Sequence, residues 1–355
     1  MVDRHKLVVR FNQWYNPVMQ ERLEREPDLE LQTVDRDGPD DGVWGALAKA
    51  HAFQVSSAKD ELPRRWFVTR ELLSRCPRLL VVSSNGAGYD TIDVPACTEA
   101  GVLVVNQAGG NAQSVAEHTI GLMLDVTRRI SENDRLLRTE RGFSREDIMG
   151  YEMSGKTVGI VGIGHIGTRV AKLARAFDMT VLAIDPYLTE EEIGRRGAQA
   201  VTRDQLLERS DFVTLHCPRN KDTMNMMDAE AFARMKKGAI FVSTARGGIH
   251  REEAVLTALQ SGHLQGAGLD VWDKEPPPLD HPLLQLRNVV ATFHTAGVTH
   301  EARRNMALFA AEQIVGILKG GRPSRLINPE AWPAYAARYE SILGFPVQSP
   351  SKDSE

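Results

Sequence analysis

The sequence contains little cysteine and no excess of positive charge. Among its 355 residues are three cysteines, Cys76, Cys97 and Cys217, which lie far apart and show no paired metal-ligand spacing. We therefore expect no disulfide framework and no metal site, and we expect a reducing, cytoplasmic location. The formal net charge of −4 gives no overall attraction to nucleic acid or to an anionic membrane, although a local basic groove is compatible with it.

Long apolar runs are also missing. The N-terminal segment holds one short apolar patch, residues 7–9, which Arg10 and Asn12 interrupt at once. No window reaches the roughly 18 apolar residues that a membrane span requires, so we predict neither a span nor an export signal. The composition, 42% hydrophobic and 25% charged, is that of a globular chain, and the length allows more than one domain.

A glycine-rich turn follows a clear strand pattern. Residues 157–161 are apolar and largely β-branched, "GIGHIG" (162–167) comes directly after them, and an apolar helical pattern follows. This order predicts a dinucleotide site. Gly162 permits the tight turn, Gly164 lets a pyrophosphate approach the backbone, and Gly167 lets the helix lie close to the strand. The N–H groups of the first helical turn would then face the phosphates.

Asp185 bears on the choice of cofactor. A second strand pattern, residues 180–184, ends on this acid, 18 residues after Gly167. A carboxylate at this position accepts hydrogen bonds from a ribose 2′-OH but repels a 2′-phosphate, and no arginine is adjacent to it. We therefore predict NAD rather than NADP. Arg195 and Arg196, about ten residues further along, could still fold back towards the site.

Strand and helix patterns alternate along most of the chain. After Asp185 we predict strands at 212–216, 239–243, 266–271 and 289–292, and helices at 203–209 and 229–235. Before the glycine turn we predict strands at 7–11, 52–56, 79–83 and 102–106. Such alternation is typical of parallel sheets covered on both faces. We predict a dinucleotide-binding domain at 110–298, inserted in a second α/β domain at 1–109 and 299–355. The second part of that domain contains a helix at 301–319 and a C-terminal tail.

Residues 114–138 show a long helical pattern. Ser114-Val115-Ala116-Glu117 fits a capping box at its start. Apolar residues occupy more than one face of this helix, which indicates burial on two sides. We predict a homodimer formed through the helix, and the alternative is a helix that lies wholly inside its own domain.

The order of the motifs resembles that of the D-isomer-specific 2-hydroxyacid dehydrogenases over about residues 50–329. The resemblance rests on "NGAGYDTID" (85–93), "SVAEHTIGLML" (114–124), "GIVGIGHIG" (159–167), "STARGG" (243–248), "GAGLDVWDKEP" (266–276), "TFHTAG" (292–297) and "INPE" (327–330). It implies two doubly wound α/β domains, a Rossmann NAD domain inserted in a flavodoxin-like substrate domain, with the active site in the cleft between them. It also implies an NAD-dependent oxidoreductase that acts on the CH–OH group of small 2-hydroxy acids.

The resemblance assigns the catalytic arginine, acid and histidine of the family to Arg246, Glu275 and His294. Each residue also has a physical rationale. Arg246 follows a predicted strand end, where α/β sheets bind ligands, and its planar fork suits a carboxylate. A carboxylate beside an imidazole favours the imidazolium, so Glu275 would prepare His294 to protonate an oxyanion near neutral pH. Taken singly, each of the three would more often be a structural or surface residue.

The resemblance implies further contacts for the cofactor and the substrate. Besides the glycines and Asp185, the cofactor contacts are assigned to His165, Ile166, Cys217, Pro218, Thr244, Ala245, Asp270, His294 and Gly297. The substrate carboxylate is assigned to Arg246 and to the backbone N–H groups of a glycine-rich loop at Asn85, Ala87 and Gly88. Nothing places a base beside Cys217, so we do not expect it to act as a nucleophile.

Three segments depart from the usual pattern of this family. Residues 56–70 form a longer loop, and we expect its cations and Trp66, together with Trp332, to select the substrate; the alternative is a solvated basic face with its aromatic residues packed inward. Phe293 stands where the family usually has proline. About 25 residues follow Pro329, too few for an added regulatory domain, and we expect a docking arm or a disordered tail.

Other functions of the same fold remain as alternatives. Formate dehydrogenases carry glutamine where Glu275 stands, whereas phosphite dehydrogenases keep the acid. Transcriptional corepressors that bind NAD and partner proteins retain the whole triad. We favour a D-2-hydroxyacid dehydrogenase, or 2-oxoacid reductase, and the sequence does not specify which acid it uses.

Overall fold

The chain divides into two units, each built on its own parallel sheet. The computed structural model describes residues 5–13 and 16–348. Unit 1 comprises Met1–Asn111 and Thr299–Glu355, and unit 2 comprises Ala112–Val298. The expectation of two parallel-sheet α/β units is confirmed.

The described residues of unit 1, which are 5–13, 16–111 and 299–348, form five strands and six helices. The strands are β1 (Lys6–Phe11), β2 (Leu29–Val34), β3 (Ala52–Ser56), β4 (Val81–Asn85) and β5 (Leu103–Val105). The helices are α1 (Pro17–Leu23), α2 (Asp40–Leu47), α3 (Arg70–Arg75), α4 (Val94–Glu99), α12 (His300–Leu318) and α13 (Trp332–Leu343), with short 3₁₀ turns at Arg64–Trp66 and Pro329–Ala331. All strands are parallel, in the order β2-β1-β3-β4-β5, which is the flavodoxin-like order.

Both faces of the unit 1 sheet are buried. Successive residues of a strand point to opposite faces, and the inner strands divide their apolar residues accordingly. One face joins the core that includes Val9, Phe53, Val82 and Val104. The other joins the core that includes Val8, Ala52, Val81 and Leu103, where α1 and α12 pack together. Burial on both sides explains why these strands appear in the sequence as short continuous apolar runs.

The long loop of unit 1 buries its tryptophan. Trp66 has no exposed surface and lies 5.9 Å from Phe11 and 5.1 Å from Trp44 between ring centroids. Its indole N–H donates to the carbonyl of Arg36 at 3.1 Å. The prediction that Trp66 would enclose a substrate is therefore wrong, because the ring completes the core. The cation beside it, Arg65, is paired with Asp40 at 3.1 Å, which fits the alternative of a basic face over inward-packed aromatics.

The C-terminal segment forms helix α13, which ends at Leu343, and residues 344–348 follow it without helical structure. Tyr335 and Tyr339 of α13 have no exposed surface, and their hydroxyls donate to the carbonyls of Ile317 and Leu318 at 2.8 and 3.0 Å. Trp332 packs against the same core. The expectation of a docking arm or a disordered tail is wrong for residues 330–348, because an apolar helix face is buried here. Residues 349–355 lie outside the described residues.

Unit 2 contains seven strands and seven helices. The strands are β6 (Thr157–Val161), β7 (Thr180–Ile184), β8 (Gln199–Ala200), β9 (Phe212–Leu215), β10 (Ala239–Ser243), β11 (Leu264–Leu269) and β12 (Val289–Ala291). The helices are α5 (Ala112–Arg128), α6 (Ile130–Thr139), α7 (His165–Ala176), α8 (Glu190–Arg195), α9 (Arg203–Arg209), α10 (Ala229–Arg234) and α11 (Glu252–Gln260), with 3₁₀ turns at Glu146–Ile148 and Pro282–Gln285. The parallel order β12-β11-β10-β9-β6-β7-β8 is the Rossmann order, and it reverses between β6 and β9.

The long predicted helix of unit 2 is two helices. Arg129 has a left-handed backbone (φ 55°), and the chain restarts at Ile130 with Asp125 accepting the N–H of Ser131 at 2.7 Å. The predicted capping box is also wrong, because α5 begins at Ala112 and leaves Ser114 buried inside the first turn. Helix α5 packs against β10, β11 and α7, and a Cβ on Gly268 would lie 2.9 Å from the Cβ of Leu122.

Burial explains the apolar residues of α5. The apolar side chains that suggested a subunit contact are buried within unit 2, and they are Val115, Ile120, Leu122, Met123 and Val126. Helix α5 therefore packs inside its own unit, as the alternative to a subunit contact predicted. Among the helices of residues 5–13 and 16–348, none is both long and apolar enough to cross a membrane.

Candidate active site

The carboxyl ends of the unit 2 strands collect most of the predicted site residues. Asp185 follows β7, Cys217 follows β9, Thr244 follows β10, Asp270 follows β11 and His294 follows β12. Because all seven strands are parallel, these ends lie along one edge of the sheet. Open α/β sheets bind ligands at this edge, next to the point where the strand order reverses.

The glycine turn lies at that reversal point. Gly162 ends β6 with a left-handed φ of 89°. A Cβ on Gly167 would lie 2.2 Å from the carbonyl oxygen of Gly162, so only glycine lets α7 start this close to the strand. No atom within 4 Å would meet a Cβ on Gly164, which leaves its outer side open. The N–H groups of Ile166 and Gly167 have no acceptor among the described residues, and His165 beside them is exposed. This turn fits a pyrophosphate.

Asp185 and Arg196 contact the same residue of the turn. The Asp185 carboxylate accepts the N–H of Ile163 at 3.1 Å and that of Tyr187 at 3.1 Å. Arg196 donates to the carbonyl of Ile163 at 2.7 Å. The arginine does fold back, but it is held by the turn's backbone, and the carboxylate keeps free lone pairs for a ribose hydroxyl.

The residues assigned to the middle of the cofactor site lie on neighbouring strands. Cys217 and Pro218 follow β9, and the backbone N of Cys217 lies 2.9 Å from the position of a Cβ on Gly162. Burial raises the pKa of the Cys217 thiol to about 11, which disfavours a thiolate nucleophile. Thr244 is buried with its hydroxyl 3.1 Å from that of Thr119, and Ala245 beside it is also buried.

Glu275 and His294 form a direct pair at this edge. The distance from Nδ1 of His294 to Oε2 of Glu275 is 2.8 Å. Glu275 also accepts the backbone N–H of Trp272 through Oε1 at 3.1 Å, and a cis peptide bond joins it to Pro276. His294 has a left-handed backbone (φ 46°) directly after Phe293, whose side chain is exposed. Because Nδ1 is occupied by the carboxylate, Nε2 is the nitrogen left to serve a ligand.

The two partners shift each other's pKa in opposite directions. Burial by itself raises the pKa of Glu275 and lowers the pKa of His294, since it disfavours the charged form of each. Their mutual hydrogen bond and charge attraction outweigh burial, so the pKa of Glu275 lies below its usual value and the pKa of His294 above it. The charge of Arg246 lowers the pKa of both groups, and that of Asp270 raises the pKa of His294. The pair therefore favours a carboxylate beside an imidazolium.

Asp270 fixes the loop that carries the histidine. Its side chain has no exposed surface and accepts the hydroxyl of Thr292 at 2.6 Å and the N–H groups of Thr295 and Ala296 at 2.8 and 3.0 Å. Its carbonyl accepts the N–H of His294 at 2.8 Å. With these acceptor positions occupied inside the protein, Asp270 serves first to orient the loop and the turn that leads to Gly297.

Two residues of this site carry roles that the sequence analysis missed. Trp272 donates its backbone N–H to Glu275 and its indole N–H to the carbonyl of Thr292 at 3.1 Å, so it ties the acid's loop to the histidine's strand. Gly247 has no room for a side chain, because a Cβ would lie 1.9 Å from the carbonyl oxygen of Trp272. Both residues lie inside motifs that carry the family resemblance: Trp272 in "GAGLDVWDKEP" and Gly247 in "STARGG". Their position in these motifs was the signal that could have identified them.

Arg246 follows β10 and lies close enough to act electrostatically on both members of the pair. Its Nη1 donates to the carbonyl of Ala245 at 2.7 Å, which fixes one arm of the guanidinium. The side chain is half-buried. A positioned cation of this kind beside an acid–histidine pair can bind an anionic ligand.

In unit 1, the predicted substrate loop follows β4. Gln107 anchors it by exchanging hydrogen bonds with the backbone of Gly86, both at 2.8 Å. The carbonyl of Ala87 accepts the side-chain amide of Asn106 at 2.7 Å. The N–H groups of Ala87 and Gly88 have no acceptor in the part of the chain that the structure describes. Asn85 ends the strand, and its carbonyl accepts the hydroxyl of Ser57 at 3.1 Å.

The fold and the glycine turn of unit 2 define a dinucleotide-binding protein. Comparison with known proteins then specifies the family. Residues 120–296 match the profile described as "D-isomer specific 2-hydroxyacid dehydrogenase, NAD binding domain". A glyoxylate reductase of Thermofilum pendens is 39% identical over 267 residues, which are 74% of this chain and 79% of that protein. The chain belongs to the D-isomer-specific 2-hydroxyacid dehydrogenase family.

Two further relatives show the range of this similarity. A D-3-phosphoglycerate dehydrogenase of Archaeoglobus fulgidus is 43% identical over 253 residues, which are 71% of this chain and 48% of that protein. The chain thus spans about half the length of that relative. The crystal structure of a glyoxylate reductase from Paecilomyes thermophila superposes with a TM-score of 0.80 at 28% identity, covering 92% of this chain and 99% of that one.

Proposed function

We propose that this protein is an NAD-dependent 2-oxoacid reductase. In the reverse reaction it acts as a D-2-hydroxyacid dehydrogenase. The observation that carries the proposal is the 2.8 Å pair of His294 and Glu275 at the ligand-binding edge of a Rossmann-order sheet. Membership of the family and the similarity to glyoxylate reductases and phosphoglycerate dehydrogenases support it. The substrate class is a small 2-oxo or 2-hydroxy acid.

His294 is the proton donor in the proposed reduction. Reduction of a carbonyl leaves an oxyanion that needs a proton, and a general acid works best when its pKa lies near the working pH. The carboxylate of Glu275 raises the pKa of His294 from its usual value near 6.5. The imidazolium is thereby available in the neutral range, and in the oxidation direction the neutral imidazole accepts the proton back at Nε2.

Arg246 and the unit 1 loop are proposed to recognise the carboxylate of the substrate. Arg246 offers a guanidinium, which can bind a carboxylate through two parallel hydrogen bonds. The N–H groups of Ala87 and Gly88 have no acceptor within the described residues 5–13 and 16–348, which supports this role, and Asn85 precedes them. These groups recognise only what every 2-oxoacid shares, so they do not by themselves select one member of the class.

NAD is the proposed cofactor, and when bound it supplies or accepts the hydride. The free N–H groups at the start of α7 would hold its pyrophosphate, and Asp185 would hold the hydroxyls of its adenosine ribose. Thr244, Ala245 and Asp270 border the part of the edge nearest His294, and we assign that part to the nicotinamide. In domain terms, we propose that Ala112–Val298 binds NAD and that Met1–Asn111 with Thr299–Glu355 binds the substrate.

We further propose a cytoplasmic homodimer. The three cysteines are free thiols, which supports a reducing compartment. The subunit contact is assigned to the segment from α6 to residue 151. In that segment Ile130, Leu137, Met149 and Tyr151 have 55 to 68% of their surface exposed, an unusual density of exposed apolar side chains.

A substrate screen tests the proposed reaction. The purified full chain is incubated with NADH and a panel of 2-oxoacids that differ in size and charge, and oxidation of NADH is followed by absorbance. We expect turnover with at least one small 2-oxoacid and a D-configured product. If no 2-oxoacid is reduced but formate or phosphite reduces NAD⁺, the proposal is wrong and the protein has one of these related activities instead.

A further inference from the structure

Unit 2 carries a groove of about 790 Å³ that the proposed reaction does not use. Its walls are formed by α7, by the start of α5 and by the end of α8 with the two residues that follow it. Five of its lining residues are cationic, namely Arg169, Lys172, Arg175, Arg195 and Arg196, and none is a carboxylate. The protein as a whole has a net charge of −4, so this concentration of positive charge is local.

The charge pattern of α7 is unfavourable for the helix itself. Its residues 165–176 include Arg169, Lys172 and Arg175 at intervals of three and no Asp or Glu. Like charges three or four residues apart on a helix repel each other and destabilise it. Helix α6 shows the usual arrangement of charges, because there Arg138 pairs with Asp134 at 2.9 Å. An arrangement that costs helix stability is consistent with a binding function.

The cations of the groove keep much of their binding capacity. Arg196 and Arg169 use one Nη1 each on the carbonyls of Ile163 and His165, at 2.7 and 2.8 Å. These bonds orient the guanidinium groups and leave their other N–H groups available. Lys172 and Arg175 are exposed and have no carboxylate partner within residues 5–13 and 16–348. Only Arg195 faces an acid, Glu191 at 3.5 Å, and both of these side chains are largely exposed.

We propose that this groove binds a small molecule that carries several phosphate groups, at a site separate from the NAD site. Guanidinium groups suit phosphate oxygens through parallel hydrogen bonds, and the groove has the volume of a small-molecule site. The near end of the groove, at Thr168 and Arg169, borders the glycine turn. A helix rises 1.5 Å per residue, so the far end at Arg175 lies about 15 Å along α7 from His165, where the NAD pyrophosphate would bind. The proposal does not depend on which acid the enzyme reduces.

Calorimetric titration of the full chain with inorganic tripolyphosphate tests the proposal. Saturating NADH is present, so that the cofactor site is already filled. We expect saturable binding that weakens as salt is added, because exposed charges are screened. Loss of tripolyphosphate binding when NADH is present would overturn the proposal, since the anion would then be bound in the cofactor site.

Charge-reversal variants locate the binding. Lys172→Glu and Arg175→Glu are expected to weaken tripolyphosphate binding at least tenfold, whereas Lys237→Glu, which makes the same charge change at an exposed position of unit 2, should leave it unchanged. Lys172→Gln and Arg175→Gln give a milder removal of charge. NADH affinity, measured in parallel, should stay within about twofold in all variants. Equal affinity for tripolyphosphate in the groove variants and in Lys237→Glu would overturn the assignment.

Discussion

Replacing Glu275 with Gln should shift the pH dependence of 2-oxoacid reduction to lower pH. The Gln side-chain oxygen can still accept the Nδ1–H of His294, so the ring keeps its orientation and tautomer. The negative charge, which raises the pKa of His294, is removed. The imidazolium therefore loses its proton at a lower pH, and the rate of reduction should fall with it.

The size of the shift follows from the contact and its exposure. An opposite charge within hydrogen-bonding distance changes a pKa by about 1–3 units. The side chains of His294 and Glu275 are 36% and 20% exposed, so solvent screens part of the attraction. Removing this charge lowers the pKa of His294, and on the general scale just given kcat/KM should fall by about 10- to 100-fold on the alkaline side of the profile. At acid pH the variant should approach the rate of the original protein.

The assay is kcat/KM for 2-oxoacid reduction across the pH range at saturating NADH. Glu253→Gln provides the control, because Glu253 is an exposed acid in the first turn of α11 and its replacement makes the same chemical change. Its pH midpoint should not move. A midpoint in Glu275→Gln that matches this control, or a loss of rate that is equal at every pH, would refute the charge-based role of Glu275.

Four further predictions follow from the structure. Kinetics should give a higher kcat/KM with NADH than with NADPH, and a preference for NADPH would contradict the role of Asp185. Gly167→Ala should weaken NADH binding in a titration, because the new Cβ would lie 2.2 Å from a carbonyl oxygen. Burial lowers the pKa of His250 to about 4, below its unfolded value of about 6.5. The free energy of unfolding, measured by acid denaturation, should therefore fall by up to about 1.4 kcal/mol per pH unit as the pH drops from about 6.5 to about 4, and this fall should be smaller in His250→Leu. Light scattering should find a dimer that Leu137→Asp converts to monomer, and a wild-type monomer at micromolar concentration would exclude it.

The sequence predicts those elements best whose residues are buried on both faces. β6, β7 and β10 begin and end where the apolar runs do. β2 is missed because it lies at the edge of its sheet, where polar Glu30 and Gln32 interrupt the apolar pattern. β8 is missed because an edge strand of two residues leaves almost no pattern at all.

Long-range contacts account for what the sequence could not predict at the candidate site. The motifs indicate Glu275 and His294, but the 2.8 Å contact depends on Trp272 and Asp270, which hold the two loops from different strands. The break after α5 falls at Arg129, with no glycine or proline to mark it. Trp66 was instead assigned a substrate contact that it does not make. The sequence alone does not show whether an aromatic residue in a loop faces a ligand or the core.

The most direct test of the proposed mechanism is the rate of 2-oxoacid reduction by His294→Ala. Removing a general acid should lower kcat by about 10² to 10⁴, while NADH binding, measured by fluorescence titration, should largely survive. His300→Ala, which alters an exposed histidine of unit 1, serves as the control and should keep full activity. Turnover in His294→Ala that equals turnover in His300→Ala would contradict the account, because the proton would then have to come from another group.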